Sequence, residues 1–357
     1  MSEGRRVRVG IIGCGGIARR HALALTSIPE ADLVACCDID EARARALAAE
    51  HGVAGVFTDA ERMLGSGEVE AVSICTPHPA HGPLLIAAAG SGVHAIVEKP
   101  LTTDLAEADR MIEAARAAGI KFGTIFQRRF FPAAQRIRRA IDDGRLGTVT
   151  LGECFARLRR DRAYFARDAW RGRWDTEGGG ALMNQAVHVV DLLQWYMGPA
   201  SEVYGRWATL KHGDYIEVED TVVATVAFAG GALAVIEAAT TYDPPFGFRV
   251  AVHGTSGATV SLEESPELEQ AYTDVWTFDG EEERRAAWVR EERGRPGFPE
   301  FHRLQLRDFV RAVIEDRDPA VTGEEGRKSL EIIQAIYQTQ RTRRPVTLPL
   351  APEAAMR

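Results

Sequence analysis

Two side chains in this 357-residue sequence are of types that move protons and sit where they could do so: Lys99, within Glu98-Lys99-Pro100, and His188, ten residues after Gly178-Gly179-Gly180 begins. Lys99 directly follows the apolar run His94 to Val97. It therefore stands at the carboxyl end of a strand, with a proline holding the backbone extended, and is aimed into whatever crevice opens there. Beside apolar walls its pKa should fall, letting it donate to or share the proton of a substrate hydroxyl. A solvated surface lysine is the alternative, which the strand-end position disfavours. On a helix, Asn184, His188 and Asp191 fall at i, i+4 and i+7, one polar face opposite an apolar stripe of Ala186, Val189, Val190, Leu193 and Met197. His188 can then act as general base, with Asp191 orienting its ring and Asn184 binding a neighbouring hydroxyl. A purely structural histidine is the competing possibility. The flexible glycines ahead of the helix would place its start against a ligand.

The partner for such chemistry is announced at the N-terminus, where Val7 to Ile12 runs into Gly13-Cys14-Gly15-Gly16-Ile17-Ala18. In this G-x-G-x-x-A turn Gly13 permits the reversal, Gly15 lets a pyrophosphate approach, and Ala18 allows close helix packing. Gly16 and Ile17 open the helix whose amides face the phosphates. Leu33 to Cys37 then ends in Asp38, a carboxylate placed to accept hydrogen bonds from an adenosine ribose and to repel a 2'-phosphate, so NAD is expected over NADP. The alternative makes Asp38 a turn residue; Asp40 reads as the cap of the helix from Glu41. Thr76-Pro77-x-x-x-His81, after a third strand, would pass beneath the dinucleotide or form a rigid turn with surface histidines. Glu98, Lys99 and Gln127, the residue after the strand Phe122 to Phe126, complete the expected cofactor contacts.

The elements that must position these groups alternate strictly through about residue 123: strands at Val7–Ile12, Leu33–Cys37, Val69–Cys75, His94–Val97 and Phe122–Phe126, with Ala-rich helices at 82–91 and 105–118 between. Such alternation predicts a doubly wound parallel sheet of Rossmann type, with ligands at the carboxyl strand ends. Residues 1–123 are expected to form that domain and 124–357 a second, substrate-binding domain. In the second, a helix at 132–143 and a strand at 148–155 lead to long alternating strands at 219–228, 232–241 and 249–253. Hairpin signals lie at Gly230-Gly231 and Gly254 to Gly257. An α+β domain with a large open, mostly antiparallel sheet is expected, and helices at 301–315 and 324–341 cover a face or return to the first domain.

A formal charge of −8 disfavours nucleic acid or an anionic membrane as partner. No run approaches the roughly 18 apolar residues of a membrane span, and no signal peptide is evident, so a cytoplasmic protein is expected. Five scattered cysteines read as reduced core residues. No metal site is expected: in Cys75-Thr-Pro-His78-Pro-Ala-His81, Pro77, Pro79 and Pro83 break any helix that would align the ligands. Only the ends and Glu281 to Gly297 lack a folding pattern.

The segment Arg157 to Trp174 holds seven arginines among Tyr164, Phe165, Trp170 and Trp174. Guanidinium forks suit carboxylate or phosphate, and aromatics suit sugar or base faces. Tyr164, Arg173 and Trp174, with Lys99, Asn184 and His188, form the expected substrate set. Pairing of these arginines with Asp161, Asp168 and Glu177, or with a partner subunit, is the alternative.

Taken together, the Gly13 to Ala18 turn, Thr76-Pro77 with His81, Glu98-Lys99-Pro100, the Gly-rich helix and Pro319-Ala-Val-Thr-Gly-Glu-Glu-Gly-Arg-Lys-Ser resemble the Gfo/Idh/MocA oxidoreductases along nearly the whole chain. The resemblance implies a Rossmann domain, a second domain whose open sheet packs on another subunit's sheet in a homodimer or homotetramer, catalytic roles for Lys99 and His188, and a cis Lys99-Pro100 bond. Inositol dehydrogenase-like members carry aspartate where this chain has Asn184. An amide cannot take a proton, so Asn184 would only position substrate, and the wording here is closer to members acting on nucleotide-linked sugars or glycosides. The expected activity is NAD-dependent oxidation of a ring secondary alcohol of a sugar or cyclitol. The alternatives are an NAD-retaining glycosidase working by transient oxidation and elimination, and a catalytically silent sensor of NAD and sugar.

Overall fold

The computed structural model describes residues 4–265, 271–294, 297 and 299–350. The chain divides into two compact units, Met1–Gln127 with Phe298–Arg327, and Arg128–Gly297 with Lys328–Arg357.

The first unit is built on six strands, β1 (Val7–Ile12), β2 (Ala31–Cys37), β3 (Gly55–Phe57), β4 (Ala71–Ile74), β5 (His94–Val97) and β6 (Phe122–Thr124), in the order β3-β2-β1-β4-β5-β6. Every pairing is parallel. Buried on both faces, β4 reads as a continuous apolar run broken only by Ser73. Around the sheet lie α1 (Gly16–Thr26), α2 (Glu41–His51), α3 (Ala60–Leu64), α4 (His81–Gly90) and α5 (Leu105–Ala118). Asp40 caps α2 by accepting from the Ala42 amide, as its type and position predict.

The first unit runs past the expected division at 123, which falls inside β6, to Gln127, and it also takes in Phe298–Arg327. After α6 (Pro132–Asp142), α7 (Arg162–Ala166), α8 (Val187–Met197) and α9 (Glu282–Arg293) comes α10 (Glu300–Glu315), followed by α11 (Gly323–Thr342). The stripe Leu306, Phe309, Val310 and Val313 on α10 joins the same buried cluster as Val7, Val9, Ile11 and Leu25. The 3.6-residue period that marks α10 as a helix thus also gives it its place in the first unit's core.

The second unit carries an eight-stranded sheet: β7 (Val149–Arg157), β8 (Ala200–Ala208), β9 (Thr221–Phe228), β10 (Leu233–Ala239), β11 (Gly247–Gly254), β12 (Thr259–Glu264), β13 (Ala271–Trp276) and β14 (Val346–Thr347), ordered β13-β12-β11-β7-β10-β9-β8-β14. All neighbours run antiparallel except β7 and β10. Hairpins at Gly230-Gly231 and 255–258 fall where the glycines predict, with Gly231 and Gly257 at φ 86° and 84°. One face of the sheet is buried; the other exposes Leu151, Val223, Leu233 and Val235. The segment from Glu281 is not patternless: Glu282–Arg293 is α9, and its buried Glu292 accepts from Arg136 Nη1 at 2.8 Å and from the Thr273 amide at 2.9 Å. Its mainly charged composition hid a helix anchored by one carboxylate. Arg295 and Pro296 of that segment, and the extreme ends of the chain, lie outside the described residues.

Candidate active site

The expected cofactor residues of the first unit gather at the carboxyl ends of its strands, where the order reverses between β1 and β4. Gly13 has φ 88°, and a Cβ there would press on the Thr76 backbone and methyl group, so the β1 and β4 loops touch through this glycine. Gly15 and Gly16 differ: a Cβ on either meets nothing within 4 Å. The protein leaves a cradle there, at the amide end of α1, and buried Ala18 seats that helix against the core. Asp38 follows β2 and accepts from the Cys14 amide at 2.7 Å through Oδ2 and from the Asp40 amide at 2.9 Å through Oδ1. Two buried polar atoms at this edge, Thr76 Oγ1 and Gln127 Oε1, have no hydrogen-bond partner among the described residues. A polar ligand would supply what such atoms need. Cradle, carboxylate and orphaned oxygens together fit a dinucleotide.

Two of the expected cofactor contacts are spent inside the protein. His81 is fully buried; its Nε2 faces the Thr76 carbonyl at 2.9 Å and its Nδ1 the Pro100 carbonyl at 3.0 Å. Burial holds its pKa below the usual histidine value, against the pull of those carbonyls. Instead of touching a ligand, the ring clamps the Thr76 loop to the segment after Lys99. Glu98 likewise points inward: Oε1 lies 2.9 Å from His21 Nε2, and Oε2 accepts from the Lys99 amide at 3.0 Å. Lys99 follows directly, and its bond to Pro100 is cis.

In the second unit the Gly-rich segment does not begin as an ordinary α-helix. Residues Ala181–Ala186 form a π-helical turn that passes into α8 at Val187. The ideal i, i+4 face expected for Asn184 and His188 is therefore widened at its start. Gly179 and Gly180 are required by close packing and not by flexibility: a Cβ on them would strike the Tyr337 hydroxyl and the Glu219 carbonyl, respectively, and Gly179 lies at φ 151°. Glu219, unremarked in the sequence because it reads as the start of a strand, accepts from the Gly180 and Leu182 amides, both at 2.8 Å, and from the Tyr337 hydroxyl at 2.9 Å. Burial pushes its pKa up to about 7 although these three donors oppose the rise.

Asn184 and His188 are both buried. The Asn184 amide donates to Glu177, whose other oxygen accepts from the Gly172 amide. Asp191, expected to orient His188, forms a buried two-pronged pair with Arg129, both bonds at 2.7 Å, and accepts from Ser329 at 3.0 Å. Arg129 carries no sequence signal of its own.

Much of the arginine segment is paired internally. Arg157 meets Glu237, Arg171 meets Asp168 at 2.9 Å, and Arg173 meets Asp175 at 3.3 Å and Glu217 at 3.5 Å. Asp161 instead caps α7. Tyr164 lies among three guanidiniums: the carbons of Arg171, Arg160 and Arg167 are 4.5, 4.9 and 5.5 Å from its ring centroid, and Arg167 shares Asp168 with Arg171. The Tyr164 hydroxyl accepts from Gln185 at 2.7 Å, next to Asn184. Trp174 donates to the Glu217 carbonyl and packs on Trp207 and Tyr337.

A parallel sheet with an amide-ended cradle and a strand-end carboxylate defines the first unit as an NAD-binding domain of a dehydrogenase type. Residues 7–126 match the family model described as oxidoreductase family, NAD-binding Rossmann fold, and 138–348 match the oxidoreductase family C-terminal alpha/beta domain. The chain belongs to the Gfo/Idh/MocA family and is an NAD-dependent oxidoreductase. It is similar to myo-inositol 2-dehydrogenase of Thermotoga maritima, 30% identical across 96% of this chain and 98% of the relative. It is also similar to scyllo-inositol 2-dehydrogenase (NAD(+)) of Bacillus subtilis, 26% identical across 96% of each. Among solved structures, the WlbA dehydrogenase of Bordetella pertussis, in complex with NADH and UDP-GlcNAcA, superposes with a TM-score of 0.89 at 30% identity, over 98% of this chain and 99% of that one. Among the described residues no helix is long and apolar enough to cross a membrane.

Proposed function

We propose that this protein oxidises a ring secondary alcohol of a sugar, a nucleotide-linked sugar in preference to a free cyclitol, with NAD as hydride acceptor. The observation that carries the proposal is the placement of Lys99: it directly follows β5, its amide pinned by Glu98, on the same strand-end edge as the Gly15 cradle. Gly13, Gly15, Gly16, Ile17 and Ala18 would hold the pyrophosphate, Asp38 the ribose, and Thr76, Pro77 and Gln127 the strand-end side. Bound NAD supplies the electron acceptor. His188 takes the proton of the substrate hydroxyl, and Lys99 hydrogen-bonds that oxygen and stabilises the charge developing on it. Asn184, anchored by Glu177, positions the ring, with Tyr164, Arg173 and Trp174.

Three considerations favour the nucleotide-linked sugar. Asn184 stands where the family resemblance gives inositol dehydrogenase-like members an aspartate, the three guanidiniums around Tyr164 outnumber the one Asp168 carboxylate that two of them share, and the similar WlbA structure holds UDP-GlcNAcA. The relatives named as inositol dehydrogenases support the coarser class of ring alcohols. The exposed Leu151, Val223, Leu233 and Val235 support assembly of a homo-oligomer through this outer sheet face. The test is a thermal-shift screen with NAD present. UDP-linked uronates and hexoses should raise the melting temperature, and free hexoses should not; stabilisation by inositols alone would overturn the substrate preference.

A further inference from the structure

Beneath Lys99 lies a buried ionic cluster that neither the proton transfer nor the cofactor cradle uses. His21 of α1, Glu98 at the end of β5 and His302 of α10 bring one ring nitrogen, one carboxylate oxygen and a second ring nitrogen within 4.8 Å of one another, all three residues buried. His21 Nδ1 is in turn held by Ser73 Oγ of β4 at 2.7 Å. The groups facing His21 are Cys75 from the end of β4, Glu98 from β5 and the edge of the His302 ring, whose centroid is 5.2 Å away; Arg20 adds positive charge near His302. Glu98 is ionised, held well below the usual carboxylate range by its two histidines against the cost of burial. Burial opposes charge on His21 too, yet Cys75 and Glu98 raise it to about 10, whereas burial lowers His302 to about 4. Glu98 and the His21 ring are thus buried in direct hydrogen-bond contact, with the His302 ring nitrogen 3.7 Å from the same oxygen.

A buried pair of this kind costs several kcal/mol in desolvation and is a weak source of stability. Its geometry does something else: with Oε1 fixed by His21, Oε2 is left aimed at the Lys99 amide. A metal explains the cluster less well. Bonds of about 2.0–2.1 Å in a tetrahedral site would spread ligand atoms to roughly 3.3 Å, whereas His21 and Glu98 meet at the 2.9 Å of a direct hydrogen bond.

We infer that His21, Glu98 and His302 are positioning residues for Lys99, coupling the helix that starts at the dinucleotide cradle to the lysine that acts on the substrate oxygen. The inference rests on that proposed role of Lys99. It also gives α10 a function: the returning helix closes the cluster with His302.

The test compares Glu98→Gln, His302→Gln and Lys99→Ala in the full chain by kcat, KM, the pH profile of kcat and the Kd for NAD. Misplacement of a catalytic group by about an ångström costs on the order of 10²-fold. Glu98→Gln should therefore lose roughly 10²-fold in kcat, with a displaced pH profile and a Kd for NAD within about threefold. His302→Gln keeps the His21–Glu98 pair and should lose about tenfold, which preserves the test if Glu98→Gln does not fold. Full kcat with an unchanged pH profile in folded Glu98→Gln and His302→Gln, alongside an inactive Lys99→Ala, overturns the inference alone. Full activity in Lys99→Ala overturns the underlying role of the lysine. A stoichiometric metal in the purified protein would also contradict the hydrogen-bonded cluster.

Discussion

Asp38 Oδ2 accepts the Cys14 amide at 2.7 Å, so the carboxylate that ends β2 and the glycine turn that ends β1 are one structural unit. Its second oxygen holds the Asp40 amide, and Asp40 starts α2. The acidic residue meant for the ribose is thereby fixed in place before any ligand arrives.

Asp38→Asn keeps the shape and one acceptor but loses the charge. Hydrogen bonds to a charged group contribute about 1.5–3 kcal/mol. The ratio of kcat/KM for NAD over NADP should fall by roughly 10- to 100-fold. Steady-state kinetics with both cofactors measure it; an unchanged ratio would remove Asp38 as the selector.

Glu219 gives the Gly-rich segment its start by accepting three hydrogen bonds on two oxygens. In Glu219→Gln one carboxylate oxygen becomes an NH2 that cannot accept, so a buried donor loses its partner at a cost of about 1–3 kcal/mol. Urea unfolding should report that loss, and kcat should drop with it because Asn184 and His188 follow from this turn. Wild-type stability in Glu219→Gln would show that the glycine packing alone sets the segment.

The Arg129–Asp191 pair is buried at both ends. Breaking one partner of such a pair costs about 3–5 kcal/mol because the other charge is left uncompensated. Arg129→Met should be destabilised by that order, and Arg129→Met with Asp191→Leu should recover most of it. A single variant within about 0.5 kcal/mol of wild type, the range of an ordinary surface change, would contradict the assignment.

The pKa of His21, about 10 in the fold against an ordinary 6.5, sets a pH dependence. Because the folded value is raised, the stabilisation from its proton is complete below about pH 6.5 and is lost as the pH climbs through the folded value. Melting temperatures of wild type and His21→Gln should be furthest apart at pH 6 and converge by about pH 10. A constant gap across that range would mean that the His21 ring is neutral.

The parallel sheet and the long outer sheet were both legible because each rests on a period: strict alternation of strand and helix, and alternation of inward and outward residues along β9 and β10. The cradle was legible because glycine spacing is itself the mechanism. Glu98 and His81 were placed at the right edge but turned the wrong way, since which way a carboxylate or imidazole faces depends on partners distant in sequence. His302 lies more than two hundred residues from Glu98, and no local pattern announces it. Arg129 and Glu219 were silent for the same reason. The π-helical start at Ala181 depends on Glu219 reaching back to its amides, a contact that periodicity cannot contain.

The central claim is tested most directly by following NADH formation as UDP-linked sugars and inositols are added with excess NAD to wild type, Lys99→Ala and His188→Ala. The wild-type protein should accumulate NADH in step with a ketone product, and each variant should lose on the order of 10²- to 10⁴-fold in rate while still binding NAD. Full rates in both variants, or no NADH with any of these alcohols, would contradict a dehydrogenase working through this lysine and histidine.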